Sequence, residues 1–325
     1  MTHKKIAQIA HVSPSTVSKA LSGSKEVSPS LAAEIRRIAV ETGYFKEKSK
    51  RKLDNLREQG AVVAVICPEI VSVHYSEIVN CIKSEVESRG GKVLVSMYDF
   101  DLKKLTQTIE SIEVNREADG IILISESRTD IVPSLPVVCY GGSVHSRFDT
   151  VYSDGSAIMN DIAGYLKSKG HTHIGYVGET HTTSKNNEFR CAMDKHGLEI
   201  KEEDIYIIDR RFEQIGFEAA KQMMKKQSMP TAIVTAYDEV AMGIIRYFTD
   251  NGVSVPQDVS VVGINNIPYA AYSQIPLTTV DMHPEDKCSI LVSLLFDKMY
   301  GDSKVVQHVL VEHTLVERET VKEIR

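Results

Sequence analysis

Ser15, Thr16, Ser18 and Lys19 place three hydroxyls and an ammonium within five residues near the start of the chain. Short donors of this kind reach phosphate oxygens and base edges when a helix too small to be core presents them in a major groove. The residues that could support catalysis do not assemble into a catalytic motif. Gly178-Glu179-Thr180-His181-Thr182-Thr183-Ser184-Lys185 has the lysine of a phosphate-cradling loop but not its second glycine. Gly141-Gly142-Ser143 is not a dinucleotide fingerprint, and no Gly-x-Ser-x-Gly elbow occurs. His171 and His173 stand at a strand entrance without a nearby cysteine or carboxylate pair, and read as structural rather than metal-binding. The chemistry on offer is recognition, with no catalytic residue, metal or cofactor expected.

The donors need two short helices joined by a turn to hold them. Ile6, Ile9 and Ala10 mark one buried stripe, and Val17 and Leu21 another. Ser13 is placed to cap the second helix, with Pro14 at its first position, where the missing N–H costs nothing. A third helix begins at Ser28-Pro29, carries Leu31, Ile35, Ile38 and Ala39 on one face, and stops at Gly43. Charge follows the same division. Residues 1–59 hold 12 Lys/Arg against 6 Asp/Glu, and the rest of the chain holds 26 against 38. A basic head on an acidic body suits a polyanionic partner for the head alone.

From Ala61 onward, apolar runs alternate with amphipathic segments. The strands read are Ala61–Cys67, Val93–Ser96, Gly120–Ile124, Val137–Tyr140, Val151–Tyr152, Ile174–Val177, Ile205–Ile208, Ala232–Thr235, Val259–Gly263, Thr278–Asp281 and a single run Val305–Val316. Helices fill the intervals, the last at Cys288–Tyr300. Two such series in 325 residues predict two doubly wound α/β lobes with a ligand cleft at the strand C-termini. No run approaches 18 apolar residues, and Met1–Ile6 does not lead into a secretory apolar region, so the expectation is a cytoplasmic protein without a membrane partner. Cys67, Cys81, Cys139, Cys191 and Cys288 are odd in number and widely spaced, and read as reduced thiols, mostly in core positions.

The pattern Val12-Ser13-x-x-Thr16-Val17-Ser18-Lys19-x-Leu21-x-Gly23, with Val27-Ser28 and Gly43-Tyr44, resembles the headpiece of the lactose-repressor/galactose-repressor (LacI/GalR) family of bacterial transcription regulators. The likeness continues through Pro68-Glu69-Ile70, Asp119-Gly120-Ile121-Ile122, Gly170-His171-x-x-Ile174, Val255-Pro256-x-Asp258-Val259-Ser260-Val261-Val262-Gly263 and Pro276-Leu277-Thr278-Thr279-Val280. It implies a helix-turn-helix domain at 1–45, a hinge at 46–59, and a periplasmic-binding-protein-like core at 60–325. The core's lobes would be about 60–156 plus 284–312 and about 157–283 plus 313–325. Pro14, Ser15 and Lys19 then take the base-contacting positions, and Thr16, Ser18 and Ser28 face phosphates. Leu53 takes the place of the leucine that paired hinges push into the minor groove. The stretch Lys50-Arg51-Lys52 before it is more basic than the family's small-residue pattern, and His11 replaces a glycine usual in the turn.

The same resemblance places Ser72, His74, Tyr75, Gly141, Lys185, Tyr237 and Asn265 at the effector cleft. Gly141 and Asn265 stand where carboxylates are usual, Lys185 where an arginine clamps the ligand, and Tyr237 where an asparagine is usual. Loss of two carboxylates beside a retained cation, with His74 added, predicts a sugar-type effector that is anionic or poorer in hydroxyls than a simple hexose. The function implied is a repressor acting as a homodimer on a pseudo-palindromic operator. A sugar-binding protein or enzyme on the same fold, or a regulator answering to a protein co-regulator, are the alternatives.

Overall fold

In the computed structural model, which describes residues 3–21, 24, 26–42, 60–124, 133–141, 147–301 and 305–324, the chain divides at Ala61/Val62 into two compact units. The first holds helices α1 (His3–Ile9), α2 (Pro14–Leu21) and α3 (Pro29–Glu41). Ser13 Oγ accepts the Thr16 N–H at 3.1 Å and its carbonyl accepts the Val17 N–H, so the serine caps α2 as its position predicts. Ser28 does the same for α3, accepting the Leu31 N–H at 3.4 Å. The turn between α1 and α2 places His11 at φ 51°, a left-handed conformation natural to glycine.

Ile6, Ala7, Val17, Ala20, Val27, Ile35, Ile38 and Ala39 form this unit's core. The predicted stripe on α1 is corrected at Ile9, which is 47 % exposed. The helix buries Ile6 and Ala7, and Ile9 lies about 160° around the axis from Ala7, on the far side. Gly43 and the hinge segment 46–59, Leu53 included, lie outside the described residues.

The second unit carries two parallel sheets. The first contains β1 (Val62–Cys67), β2 (Lys92–Met97), β3 (Gly120–Ile124), β4 (Val137–Gly141), β5 (Asp149–Tyr152) and β11 (His308–Leu310), in the order β11-β5-β4-β3-β1-β2. Helices α4 (Val73–Ser88), α5 (Leu102–Asn115) and α10 (Pro284–Tyr300) belong with it. The second sheet runs β7 (Ile205–Ile207), β6 (Ile174–Gly178), β8 (Ala232–Thr235), β9 (Ser260–Val262). It is flanked by α6 (Gly155–Ser168), α7 (Thr183–Lys195), α8 (Glu213–Met223) and α9 (Asp238–Asp250). Residues of β1, β3 and β6 are almost all buried, as expected for parallel strands covered on both faces. In each sheet the strand order reverses beside the first strand, at β1/β3 and at β6/β8. Loops leaving the strand C-termini at such points form ligand crevices.

The predicted strand Val305–Val316 is corrected. It divides into β11, which pairs with β5, and β12 (Thr314–Val316), which pairs antiparallel with β10 (Thr279–Asp281) beside the second sheet. The chain crosses from one lobe to the other between them, so one ladder cannot span the run. The last helix also begins four residues earlier than predicted, with Pro284 at its first position. In the second lobe α8 and α9 pack backbone to backbone. A Cβ on Gly216 would come within 2.0 Å of the Val240 carbonyl oxygen, and one on Gly243 within 2.0 Å of that of Glu213. Of the cysteines, Cys67, Cys139 and Cys288 are buried, Cys81 is intermediate and Cys191 is exposed on α7.

Candidate functional site

Two surfaces gather the residues that the sequence singled out. On α2, Val17 and Ala20 face the core, while Pro14, Ser15, Ser18 and Lys19 are exposed and Thr16 is half-buried. Positions 14, 15, 18 and 19 share one helical face. The Ser13 hydroxyl is shared with Ser15 Oγ at 2.7 Å and Thr16 Oγ1 at 2.8 Å, so the cap also orients two of the donors. Lys19 forms an ion pair with Glu26 in the turn ahead of α3. Ser28 is exposed at the start of that helix.

The second surface lies where the two sheets' C-terminal loops meet. Ser72 is buried and spent on structure, its Oγ capping α4 by accepting the Tyr75 N–H at 3.2 Å. His74 and Tyr75 occupy the first turn of α4, with ring centroids 5.4 Å apart. Gly141 ends β4. Lys185, in the first turn of α7, donates to the Ala236 carbonyl at 2.7 Å. Tyr237 is buried at the start of α9; its hydroxyl donates to Glu179 Oε1 at 3.0 Å and accepts the Phe212 N–H at 3.1 Å. Asn265 follows β9 with φ 113°, a strained backbone for a residue with a side chain. Burial, reinforced by Lys185 and Lys287, lowers the His74 pKa to about 3, so the imidazole adds no positive charge to the cleft.

Several residues here carried no sequence signal. Arg211 pairs with Glu179 at 3.0 Å within the second lobe and with Glu69 at 3.5 Å from the loop after β1. Its guanidinium stacks over Phe212 at 4.6 Å and over Phe100, from the loop after β2, at 5.1 Å. Phe100 in turn stacks on His181 at 4.3 Å. This group ties the lobes together at the mouth of the crevice, beside a cavity of about 550 Å³ lined by Glu69, Phe100, His181, Arg210 and Arg211. Partners so far apart in sequence have no fixed spacing by which to be recognised. Deeper in, Val73 packs against the second lobe's core. The buried Asp238 accepts the Ile267 N–H at 2.8 Å and the Thr279 hydroxyl.

His171 and His173 are accounted for by the fold. His171 is buried between Thr231 Oγ1 at 3.0 Å and the Lys322 carbonyl at 3.1 Å, and His173 pairs with Asp204 at 2.6 Å. No helix among the described residues is long and apolar enough to cross a membrane.

With this geometry in place, the likeness to known proteins is informative. Residues 163–321 match the periplasmic binding protein-like domain family. The chain is 25 % identical to the ribose operon repressor of Escherichia coli (strain K12), with 98 % of each chain covered. It is 26 % identical to catabolite control protein A of Priestia megaterium, again with 98 % of each covered. A solved LacI family transcriptional regulator of Enterococcus faecium, with bound ribose, shares the fold with a TM-score of 0.71 at 19 % identity. That match covers 81 % of this chain and all of the other.

Proposed function

We propose that the chain is a LacI/GalR-family transcription regulator, a cytoplasmic, dimeric repressor that releases or grips its operator according to a small molecule held between the two core lobes. The observation that carries this reading is the exposed face of Pro14, Ser15, Ser18 and Lys19 on a capped helix, in a chain whose second unit is a two-lobed binding-protein fold. In this reading residues 1–45 are the helix-turn-helix headpiece, 46–59 the hinge, and 60–325 the effector-binding and dimerisation core. Ser15 and Lys19 read base edges, Pro14 adds apolar contact, and Thr16, Ser18 and Ser28 position the helix on phosphates. Leu53 acts from the hinge. Paired headpieces of a dimer would meet two half-sites of a pseudo-palindrome.

The core needs no catalytic step for this task. Its ligand has only to bind one arrangement of the lobes more tightly than another, and the population shifts by that difference in affinity. Ser72 and Tyr237 act as the scaffold of the cleft, and His74, Tyr75, Gly141, Lys185 and Asn265 line the ligand space. Sugars are the leading effector class, since solved neighbours of this fold hold ribose and sucrose.

The test is selection of genomic fragments by the full-length protein, followed by fluorescence anisotropy on the selected duplex. Lys19→Ala should weaken that duplex by about tenfold, the worth of one good base contact. A protein that binds no sequence better than random duplex at physiological salt would overturn the reading.

A further inference from the structure

Lys287 lies in the first turn of α10 and is 3 % exposed. Its Nζ donates to Ser153 Oγ at 3.2 Å and sits 4.8 Å from the centre of the Tyr140 ring. Among the described residues no carboxylate forms an ion pair with it. An ammonium so buried, with one neutral acceptor and an aromatic face, is poorly compensated. Tyr140, 5 % exposed at the end of β4, has a hydroxyl without a hydrogen-bond partner among the described residues. From the other lobe comes Lys185, whose ammonium has the Ala236 carbonyl at 2.7 Å and likewise no ion-paired carboxylate among the described residues. Lys185 is near enough to disfavour the charge on Lys287: burial, opposed by Cys288 and Asp281 and aided by Lys185, lowers the Lys287 pKa to about 8.

Among the described residues no carboxylate forms an ion pair with either lysine, although Asp281 favours the charge on Lys287, and Glu188, Asp238, Glu239 and Glu179 favour that on Lys185. Asp281 accepts the His283 N–H at 2.8 Å and the Asn266 amide at 2.9 Å. Asp238 is held by Ile267 and Thr279, and Glu179 by Arg211 and Tyr237. Glu239, on the first turn of α9, is buried with neither carboxylate oxygen hydrogen-bonded among the described residues, and burial pushes its pKa up; Glu77 on α4 and Glu188 on α7 are raised for the same first reason. Asp281, Asp238 and Glu179 are held by other partners, while two lysines from opposite lobes keep donors to spare. The first turns of α4, α7 and α10 carry His74, Lys185 and Lys287, and each helix start adds partial positive charge.

We propose that Lys287 and Lys185 form an anion site across the cleft, so that the effector carries a phosphate or carboxylate held by an ammonium from each lobe, with the Tyr140 hydroxyl and the His74 imidazole as further donors. This rests on the effector-cleft reading above and names the ligand's chemical class. It also supplies a reason for the lobes to respond. Without an anion, like charges oppose each other across the crevice; a bound anion is counter-ion to both and favours their approach.

The test uses full-length protein with inorganic phosphate as the minimal probe, then matched pairs at constant ionic strength: ribose with ribose 5-phosphate, and glucose with glucose 6-phosphate and glucuronate. Phosphate at about 20 mM should raise the unfolding midpoint by roughly 2 °C or more relative to chloride. That rise should vanish in Lys287→Met and in Lys185→Met. Lys287→Met removes a buried charge and should fold. At least one anionic sugar should bind about tenfold tighter than its neutral parent, with both variants erasing the difference. The two anion classes separate by whether the phosphate or the uronate shows it. Phosphate stabilising wild type and both variants equally is an adventitious ion only, and overturns the proposal, as does no stabilisation at all. Neutral sugars binding as tightly as their anionic partners would overturn it too, while leaving the effector cleft standing. The cleft reading itself fails differently, if no small molecule, neutral or anionic, moves either the midpoint or the operator affinity.

Discussion

Asp238 offers a test of the cleft's electrostatics that needs no ligand. The side chain is fully buried at the first position of α9, against Gly263, and accepts hydrogen bonds from the Ile267 N–H and the Thr279 hydroxyl. Burial raises its pKa from 3.8 to about 7, with Glu239 adding to the rise and the two hydrogen bonds and Lys185 opposing it. A raised carboxylate binds its proton more tightly in the folded chain than in the unfolded one. Its penalty is therefore absent below pH 3.8, grows as pH climbs, and levels off above pH 7. Integrated over that window the penalty is about 4 kcal/mol, of which about 2–3 kcal/mol accrues between pH 5 and pH 8. Asp238→Asn has no proton to lose. Its stability relative to wild type should rise by that amount between pH 5 and 8, a relative gain of roughly 5–10 °C in the midpoint for a unit of this size. The amide's own cost, finding an acceptor for its NH2, is constant with pH and cancels from the difference. Urea unfolding at a series of pH values and constant ionic strength measures it. Parallel curves for the two proteins, or a gap that narrows toward pH 8, would refute the argument.

Two further outcomes follow from the contacts described. Arg211→Ala should cost about 2–4 kcal/mol in urea unfolding, because it strands Glu179, whose side chain is only 3 % exposed. Adding Glu179→Gln should restore most of the loss, and a double variant as unstable as the single one would show that the stacking on Phe100 and Phe212, not the charge pair, carries the effect. In the headpiece, Glu26→Gln removes the carboxylate paired with Lys19 and should tighten operator binding by about two- to fivefold at low salt. Unchanged affinity in anisotropy titrations would place Lys19 off the duplex.

The sheet strands were legible in the sequence because parallel strands covered on both faces read as unbroken apolar runs, as in Val62–Cys67 and Gly120–Ile124. The caps at Ser13 and Ser28 were legible because a serine ahead of proline has one economical use at a helix start. What failed was tertiary. Nothing local divides Val305–Val316 between two sheets; that division belongs to the crossover. Ile9 fits the helical period but sits on a two-turn helix whose buried side is set by Ala7. Lys287 reads as a surface lysine ahead of an apolar helix. Pro284 could have moved the predicted helix start back to enclose it, but only packing against Tyr140 and Ser153 reveals the burial.

The same distinction sorts the cleft residues by what they have left to give. The family resemblance proposes Ser72 and Tyr237 as ligand contacts, yet the first is spent on a helix cap and the second on Glu179 and the Phe212 N–H. A ligand gains most from groups the fold leaves undersatisfied, since a buried donor already paired must give up one bond to make another. By that criterion the informative residues are Lys287 and Tyr140, neither in a recognisable motif, together with Lys185. In the proposed anion site, Gly141 and Asn265 bring no negative charge of their own to the ligand space, and a carboxylate or phosphate on the effector would supply it.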